Sequence, residues 1–422
     1  MVVSIFALEL RPFIMLPPAA ARRCFHALPP LLRSQTRSSV SRVAAFLPGA
    51  EEPSVKYPSL FSVAPMMDWT DNHFRSLARL ISRKSWLYTE MIVAETIVYQ
   101  QGNLDRLLEF PDFQHPIALQ LGGSNLENLA IAARLANSYG YDEINLNCGC
   151  PSSKVAGHGC FGARLMLDPV HVGDAMQAIA SECNVPVTVK CRIGVDDYDS
   201  YDQLFDFVST VSSKSPTQHF IIHARKALLK GLNPEENRSV PPLKYEYVFA
   251  LIRDFPELQF TLNGGIVNIG QVKDALSKGA HGVMMGRAAY KSPWITLAKV
   301  DREVYGISKA GITRRQIIEQ YEEYASSVVG KYGPLKSSIR HVTKPLLHFF
   351  HAEPGAGLWR RAVDESLRQS ESFHELLKET LKVLPDSVLD SPPSYEMLDN
   401  SSIAVGPLPL NSRTCFQLAS AL

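Results

Sequence analysis

The sequence predicts an α/β fold, a TIM (β/α)8 barrel followed by a small C-terminal helical domain. Three observations predict it. Between Phe61 and about Ala288, short β-rich runs alternate with stretches of helical periodicity, the pattern of parallel βα units. Eight such runs can be counted, the number that closes a barrel, and their C-terminal ends are polar, as a barrel mouth is. At 422 residues the chain exceeds the roughly 250 that a barrel alone takes, which leaves room for a second, smaller unit.

The strand candidates are FSVAPM from Phe61, LYTEMI from Leu87, PIALQLGG from Pro116, EINLNCG from Glu143, PVTVKCRIG from Pro186, HFIIHARK from His219, QFTLNGGI from Gln259 and GVMMGRA from Gly282. Helix signals lie between them. Ser124 with Glu127 reads as a capping box ahead of Leu126, Leu129, Ala130 and Ala133, which share one face. Asp168 before Pro169 starts another helix, and Leu204, Phe207, Val208 and Val211 mark a third. Beyond the barrel, assigned to residues 58–305, Thr313 with Gln316 opens a helix that continues through Ile317, Tyr321, Ala325 and Val328. With the stretches Ile339–Phe350, which Pro345 should kink, and Trp359–Val383, it makes a helical domain over residues 310–385. Residues 386–422 are rich in Ser, Pro and Asn without periodicity and are expected to be a disordered tail.

With 45% hydrophobic and 20% charged residues the composition is that of a globular protein with a large core. No apolar run approaches the roughly 18 residues of a membrane span, so no membrane association is expected. The net charge of +1 means that any nucleic-acid site must be a local basic patch. Seven scattered cysteines favour reduced thiols over a disulfide framework. Cys148, Cys150, His158 and Cys160 lack the C-x-x-C spacing of structural zinc sites, so no metal is expected. Before Glu51 the only acidic residue is Glu9, against Arg11, Arg22, Arg23, Arg33, Arg37 and Arg42. Residues 1–50 therefore read as a transit peptide to chloroplast or mitochondrion; a disordered basic tail on a cytoplasmic protein is the alternative.

The polar strand ends are the candidate site. Gln120 ends the third strand, Asn147 and Cys150 the fourth, Lys190 and Arg192 the fifth, His223 and Arg225 the sixth, Asn263 the seventh and Arg287 the eighth. Each such group costs desolvation free energy unless it is satisfied, so their convergence on one rim points to one functional site. Taken singly, Lys190 reads equally as a structural ion pair and His223 as a buried, satisfied imidazole. Asn263-Gly264-Gly265 and Gly286-Arg287 fall where barrels hold phosphate on glycine N–H groups. No G-x-G-x-x-G opens a Rossmann unit, so a phosphate-bearing cofactor bound by the barrel itself is expected.

Seven segments carry a resemblance: APMMDWTD (Ala64–Asp71), YTEM (Tyr88–Met91), ALQLGGS (Ala118–Ser124), GYDEINLNCGCPS (Gly140–Ser152), PVTVKCRIG (Pro186–Gly194), HARKALLKGLNPEENR (His223–Arg238), and NGGI with MMGRAAY (Asn263–Ile266, Met284–Tyr290). Together they resemble the tRNA-dihydrouridine synthases, most closely the DusA group, from Phe61 to Val383. The resemblance implies FMN at the barrel mouth, with Pro65, Met66 and Met67 beside the isoalloxazine and Gln120 at its edge. It implies Lys190 and His223 near the pyrimidine part of the ring, where positive charge would stabilise the reduced anion. Asn263, Gly264, Gly265, Gly286 and Arg287 would take the phosphate. The implied substrate is uridine 20 of the tRNA D-loop, with 20a as a second position, and the implied reductant is NADPH. A monomer is expected.

Because the C5=C6 bond of uracil is conjugated to the C4 carbonyl, hydride should add at C6 and leave C5 to be protonated. By its place in NxGCP, Cys150 is implied as the acid; a free thiol of pKa about 8.5 is mostly protonated at neutral pH. Asn147 is implied to touch the target base, which must leave its stack to be reached. Arg225 and Arg238, with Lys226 and Lys230 in the same insertion and Arg340, Lys344, Arg360 and Arg361 in the helical domain, are candidates for RNA phosphates. Two departures from the family pattern stand out. Cys148 occupies a usually apolar place, which suggests packing, and FGARLM puts Arg164 where relatives often carry cysteine. Rival readings are an ene-reductase-like FMN barrel acting on a small molecule, a lyase forming a Schiff base on Lys190, and an RNA-binding scaffold without turnover.

Overall fold

The computed structural model describes residues 59–158, 160–307, 311–331, 338–394 and 402–412; the expected transit peptide lies outside them. The strands are β1 (Phe61–Val63), β2 (Leu87–Tyr88), β3 (Ile92–Val93), β4 (Ile117–Gly122), β5 (Glu143–Cys148), β6 (Val187–Arg192), β7 (His219–His223), β8 (Gln259–Asn263) and β9 (Gly282–Met285). All pairings between them are parallel, in the order β1-β9-β8-β7-β6-β5-β4-β2. The ring closes where Val63 N donates to Trp86 O (2.9 Å) and Trp86 N to Phe61 O (3.0 Å). The result is the predicted barrel, with helices such as Asn72–Ile81, Leu126–Ala136 and Pro169–Ala180 between strands.

One predicted strand is interrupted. LYTEMI splits into β2 and β3, both of which pair with β4. Between them the Thr89 hydroxyl accepts the Gln120 N–H (3.0 Å), taking the place of a ladder carbonyl. The hydroxyl in turn donates to Glu90 O (2.8 Å), which bends the chain at the barrel mouth.

Residues along each strand alternate between the barrel interior and the helical shell. Outward residues such as Ile144, Leu146, Val189, Phe220, Leu262 and Val283 are fully buried in the main core beneath the helices. At about 1.5–3 kcal/mol per fully buried large side chain, this shell carries most of the hydrophobic stabilisation. Inside the barrel a smaller apolar cluster of Ala64, Trp86, Tyr88, Ala118, Ile221 and Met284 faces a polar half, built around Glu143, Asn145 and Thr188.

Helix starts follow the sequence signals with one shift. Asp168 caps Pro169–Ala180 by accepting from His171 N (3.0 Å), and Ser200 with Gln203 caps Tyr201–Lys214. The box expected at Ser124 and Glu127 is absent, because Asn125 caps Leu126–Ala136 by accepting from Asn128 N (2.9 Å). Ser124 instead offers its carbonyl to His171 Nε2 (2.7 Å). In the helical domain, Arg314–Val328 carries the predicted Thr313/Gln316 box and lies on Asn72–Ile81, where Tyr324 OH meets His73 Nδ1 at 2.9 Å. Helix Ile339–Thr343 gives way at Pro345 to a tighter turn, as proline dictates, and the last stretch forms two helices, Ala356–Ser366 and Phe373–Thr380. None of the described helices is long and apolar enough to cross a membrane.

The segment expected to be a disordered tail is ordered where it is described. Asp386–Asp390 is helical, and Arg315 pairs with Asp386 and Asp390, each at 2.6 Å. Residues 402–412 form a strap across three barrel helices. Ile403 N and O engage Asp274 (2.9 Å) and Lys278 (2.8 Å), Pro409 O accepts from Arg253 (2.7 Å), and Ser412 N donates to Asp202 (2.8 Å). Backbone groups make these bonds, so the segment needs no periodic apolar pattern.

Candidate active site

The polar groups predicted at the strand ends do converge at the C-terminal mouth of the barrel. On β6, Lys190 points inward and its Nζ donates to Asn263 Oδ1 at the end of β8 (3.1 Å). Burial, with Arg192 nearby, pulls the Lys190 ammonium down to about 8. His223, at the end of β7, is also enclosed. Burial, reinforced by the charges of Arg192, Lys190 and Arg225, holds its imidazole well below the usual range. It is therefore neutral at pH 7, and the positive charge expected of the Lys190 and His223 pair rests on the lysine.

Beyond Asn263, Gly264 and Gly265 have φ of +106° and +71°. A Cβ on Gly264 would meet His223 Cδ2 at 2.6 Å, and one on Gly265 would meet Leu243 Cδ1 at 2.5 Å, so only glycine fits. Tyr245 OH fixes the turn by donating to Gly264 O (2.6 Å). Gly286, after β9, stands beside Ala64 and Met66, with nothing closer than 3.7 Å to where its Cβ would be. The loop after β1 carries Pro65, Met66 and Met67; Met66 N and O are both tied to Thr70, and Met67 is exposed. Bare glycine backbone, the Lys190 ammonium and the buried, unpartnered Nε of Arg225 are groups that fit a phosphate-bearing cofactor.

At the same mouth sits Cys150, half-buried in the loop after β5 and close enough to Lys190 and Arg192 to feel their charges. Burial pushes its thiol up from the usual value, and the charges of Arg192, Arg238 and Lys190 offset this only in part, so the sulfur is protonated at neutral pH. The loop is held through its backbone: Asn147 Oδ1 accepts from Gly149 N and Cys150 N (3.0 Å each), and Cys150 O accepts from Ala163 N (2.9 Å). A side chain at Gly162 would strike Cys150 O at 2.6 Å. Arg192, noted in the sequence but given no role, ties this loop to the insertion after β7. Its Nε donates to Gly149 O (3.0 Å) and its Nη1 to Lys226 O and Asn237 O (2.9 Å each).

Other predicted contacts are redistributed. Asn147 commits Oδ1 to the loop and Nδ2 to Gln120 Oε1 (2.9 Å), which leaves one N–H for a base. Gln120 is fully buried and donates to Asn145 Oδ1 (2.8 Å). Arg225 turns onto Ser239 O and Pro241 O of its own insertion, and Arg287 bonds Arg238 O (3.2 Å) while Arg238 stays exposed. Lys226 pairs with Asp199 (3.1 Å) and Lys344 bonds Asp68 O, so both are committed internally. Lys230, Arg340, Arg360 and Arg361 are exposed, as is Arg164. Cys148 is fully buried on the outer face of β5 beside Cys191, in keeping with packing. Among the described residues, no group of three or more His, Cys, Asp or Glu could hold a metal ion.

Comparison with known proteins fits this geometry. The family described as dihydrouridine synthase (Dus) matches residues 62–385. A tRNA-dihydrouridine(20/20a) synthase of Vibrio vulnificus is 44% identical over 329 residues, covering 78% of this chain and 97% of the relative. The Escherichia coli K12 protein of the same name is 44% identical over 336 residues, 80% and 94% of the two chains, and that of Vibrio parahaemolyticus 45% over 324 residues, 77% and 96%. With the family pattern spanning barrel and helical region alike, this chain belongs to the dihydrouridine synthase family.

Proposed function

We propose that this chain reduces uridine to 5,6-dihydrouridine in the D-loop of tRNA, at position 20 and also at 20a, in line with its 20/20a relatives. One observation carries the reading: a thiol kept protonated by burial faces the same barrel mouth as a glycine-lined, cationic cradle. The cradle suits FMN, with Asn263, Gly264, Gly265, Gly286 and Arg287 holding its phosphate and Lys190 meeting its ring; the buried Gln120 lies beneath it and reaches the mouth through Asn147. When bound there and reduced by NADPH, FMN supplies the hydride for uracil C6.

The chain's own groups do the rest. Cys150 Sγ gives its proton to C5 of the uracil, on the face away from the cradle, as general acid. Lys190 would hold the bound ring, and its positive charge would suit negative charge developing there. Arg192 and Asn147 keep the thiol loop from drifting. Exposed Arg238, Arg360 and Arg361 offer phosphate contacts on either side of the mouth for a tRNA whose target base has been drawn out of its stack.

Purified protein should be yellow and should convert uridine to dihydrouridine in unmodified tRNA given NADPH, with nucleoside mass spectrometry as readout. No conversion at positions 20 and 20a, by protein carrying bound flavin, would overturn the reading. We also propose an organellar address, supported by the Arg-rich, acid-poor residues 1–50. A fluorescent fusion of those residues that stays in the cytosol would refute it.

A further inference from the structure

Within the polar half of the barrel, hydrogen bonds run without a break from the interior to the catalytic loop. Cys150 N and Gly149 N donate to Asn147 Oδ1, Asn147 Nδ2 to Gln120 Oε1, Gln120 Nε2 to Asn145 Oδ1 (2.8 Å), Asn145 Nδ2 to Thr188 Oγ1 (2.8 Å), and Thr188 Oγ1 to Glu143 Oε1. Tyr88 OH donates to the same Glu143 oxygen (2.9 Å). Every link donates in one direction, toward the carboxylate. Glu143, Asn145, Thr188 and Gln120 are all at most 1% exposed, so bulk water does not reach them.

This polarity is forced from both ends. A carboxylate oxygen that receives two hydroxyl hydrogens only accepts, so the single proton of Thr188 points down and its lone pairs face Asn145. Asn145 must then turn its NH₂ to Thr188 and its oxygen to Gln120, and Gln120 must turn its oxygen to Asn147. At the other end backbone N–H groups only donate, which gives Asn147 the same orientation. An amide flip anywhere would set donor against donor or acceptor against acceptor in a site closed to bulk solvent.

We propose that Asn145, Thr188 and Glu143 are positioning residues for the reaction: they fix which way the Gln120 amide faces and, through Asn147, hold the backbone that carries the Cys150 thiol. They sit below the mouth and act only through other groups. The proposal rests on the functional reading above for its rate consequences, but not for its effect on the thiol loop.

The test uses the full-length protein with Thr188→Val, which keeps shape and removes the hydroxyl, and Thr188→Ser, which restores it. Three quantities are read: alkylation of Cys150 by iodoacetamide between pH 7 and 10, mapped by peptide mass spectrometry; kcat and KM for unmodified tRNA; and melting temperature. The valine variant should change Cys150 alkylation at least threefold and lower kcat tenfold or more, with KM within twofold, and serine should recover most of both. A lower melting temperature with alkylation and kcat within twofold of the parent, or a serine variant no better than valine, would overturn the proposal. Should the valine variant not fold, Asn145→Asp keeps the acceptor for Gln120 but lacks the N–H for Thr188, and the same thresholds decide. If the parent makes no dihydrouridine, the functional reading fails while alkylation still judges the positioning role.

Discussion

Replacing Cys150 with alanine separates the proposed proton transfer from folding, because the two rest on different atoms. The loop is held by the Cys150 backbone, through Asn147 Oδ1 and Ala163 N, and the side chain is only half-buried. Losing the sulfur should therefore cost less than about 1 kcal/mol of stability. The rate should suffer far more. A positioned general acid contributes about 10²–10⁴-fold, a barrier increase of about 3–5 kcal/mol. Single-turnover formation of dihydrouridine on tRNA transcribed without modifications measures it directly, with a thermal melt alongside. The pH dependence carries a sign as well. Because burial raises the thiol pKa, its acid form persists beyond the ordinary cysteine range, and the parent rate should fall only as pH rises above that range. An alanine variant that melts normally and keeps more than a third of the parent rate would show that Cys150 is not the acid.

Gly264→Ala should lose bound flavin and destabilise the apoprotein by about 1–3 kcal/mol, since φ is +106° and His223 Cδ2 stands 2.6 Å from the new Cβ; flavin absorbance and a melt report both. Acid should weaken the fold earlier than carboxylates alone would dictate. Burial lowers His219 to about 3 and His223 well below 6.5, so the unfolded chain takes up these protons first. Their contribution is present above about pH 6.5 and is lost as pH falls; for His219 the loss reaches about 2 kcal/mol at pH 5. Equal urea midpoints at pH 7.5 and pH 5 would contradict this. Truncation after Ser391 removes the strap bonded to Asp274, Lys278, Arg253 and Asp202, and should lower the melting temperature by several degrees with turnover at 25 °C within twofold of the parent.

The barrel was legible because eight apolar runs with polar ends leave few other closures, and the capping signals at Asp168 and Thr313 proved local enough to read. What escaped depends on contacts between segments. The break in the second strand needs the Thr89 hydroxyl to find Gln120 N, and the Ser124 box lost to an asparagine one residue on. Neutral His223 could not be foreseen from its own segment, because burial by the folded barrel depresses it most, and the cations that add to this come from β6 and the insertion. Lys226 and Lys344 read as phosphate holders until their internal partners were in view. The polar half of the interior was overlooked, although its signal was present: Glu143, Asn145 and Asn147 recur at period two in EINLN. The strap had no such signal.

The strict alternation of β5 has a cost for sequence change. Its odd positions from Glu143 to Asn147 carry the polar bonds of the barrel interior and its even ones, Ile144, Leu146 and Cys148, serve packing. Deleting one residue there would exchange the two sets, placing a carboxylate and two amides beneath the helices and hydrocarbon at the mouth. Swapping Cys148 for valine, in contrast, should cost less than about 1.5 kcal/mol. Added length is therefore cheaper away from the staves, at the exposed turn of Lys230 and Gly231, than within them.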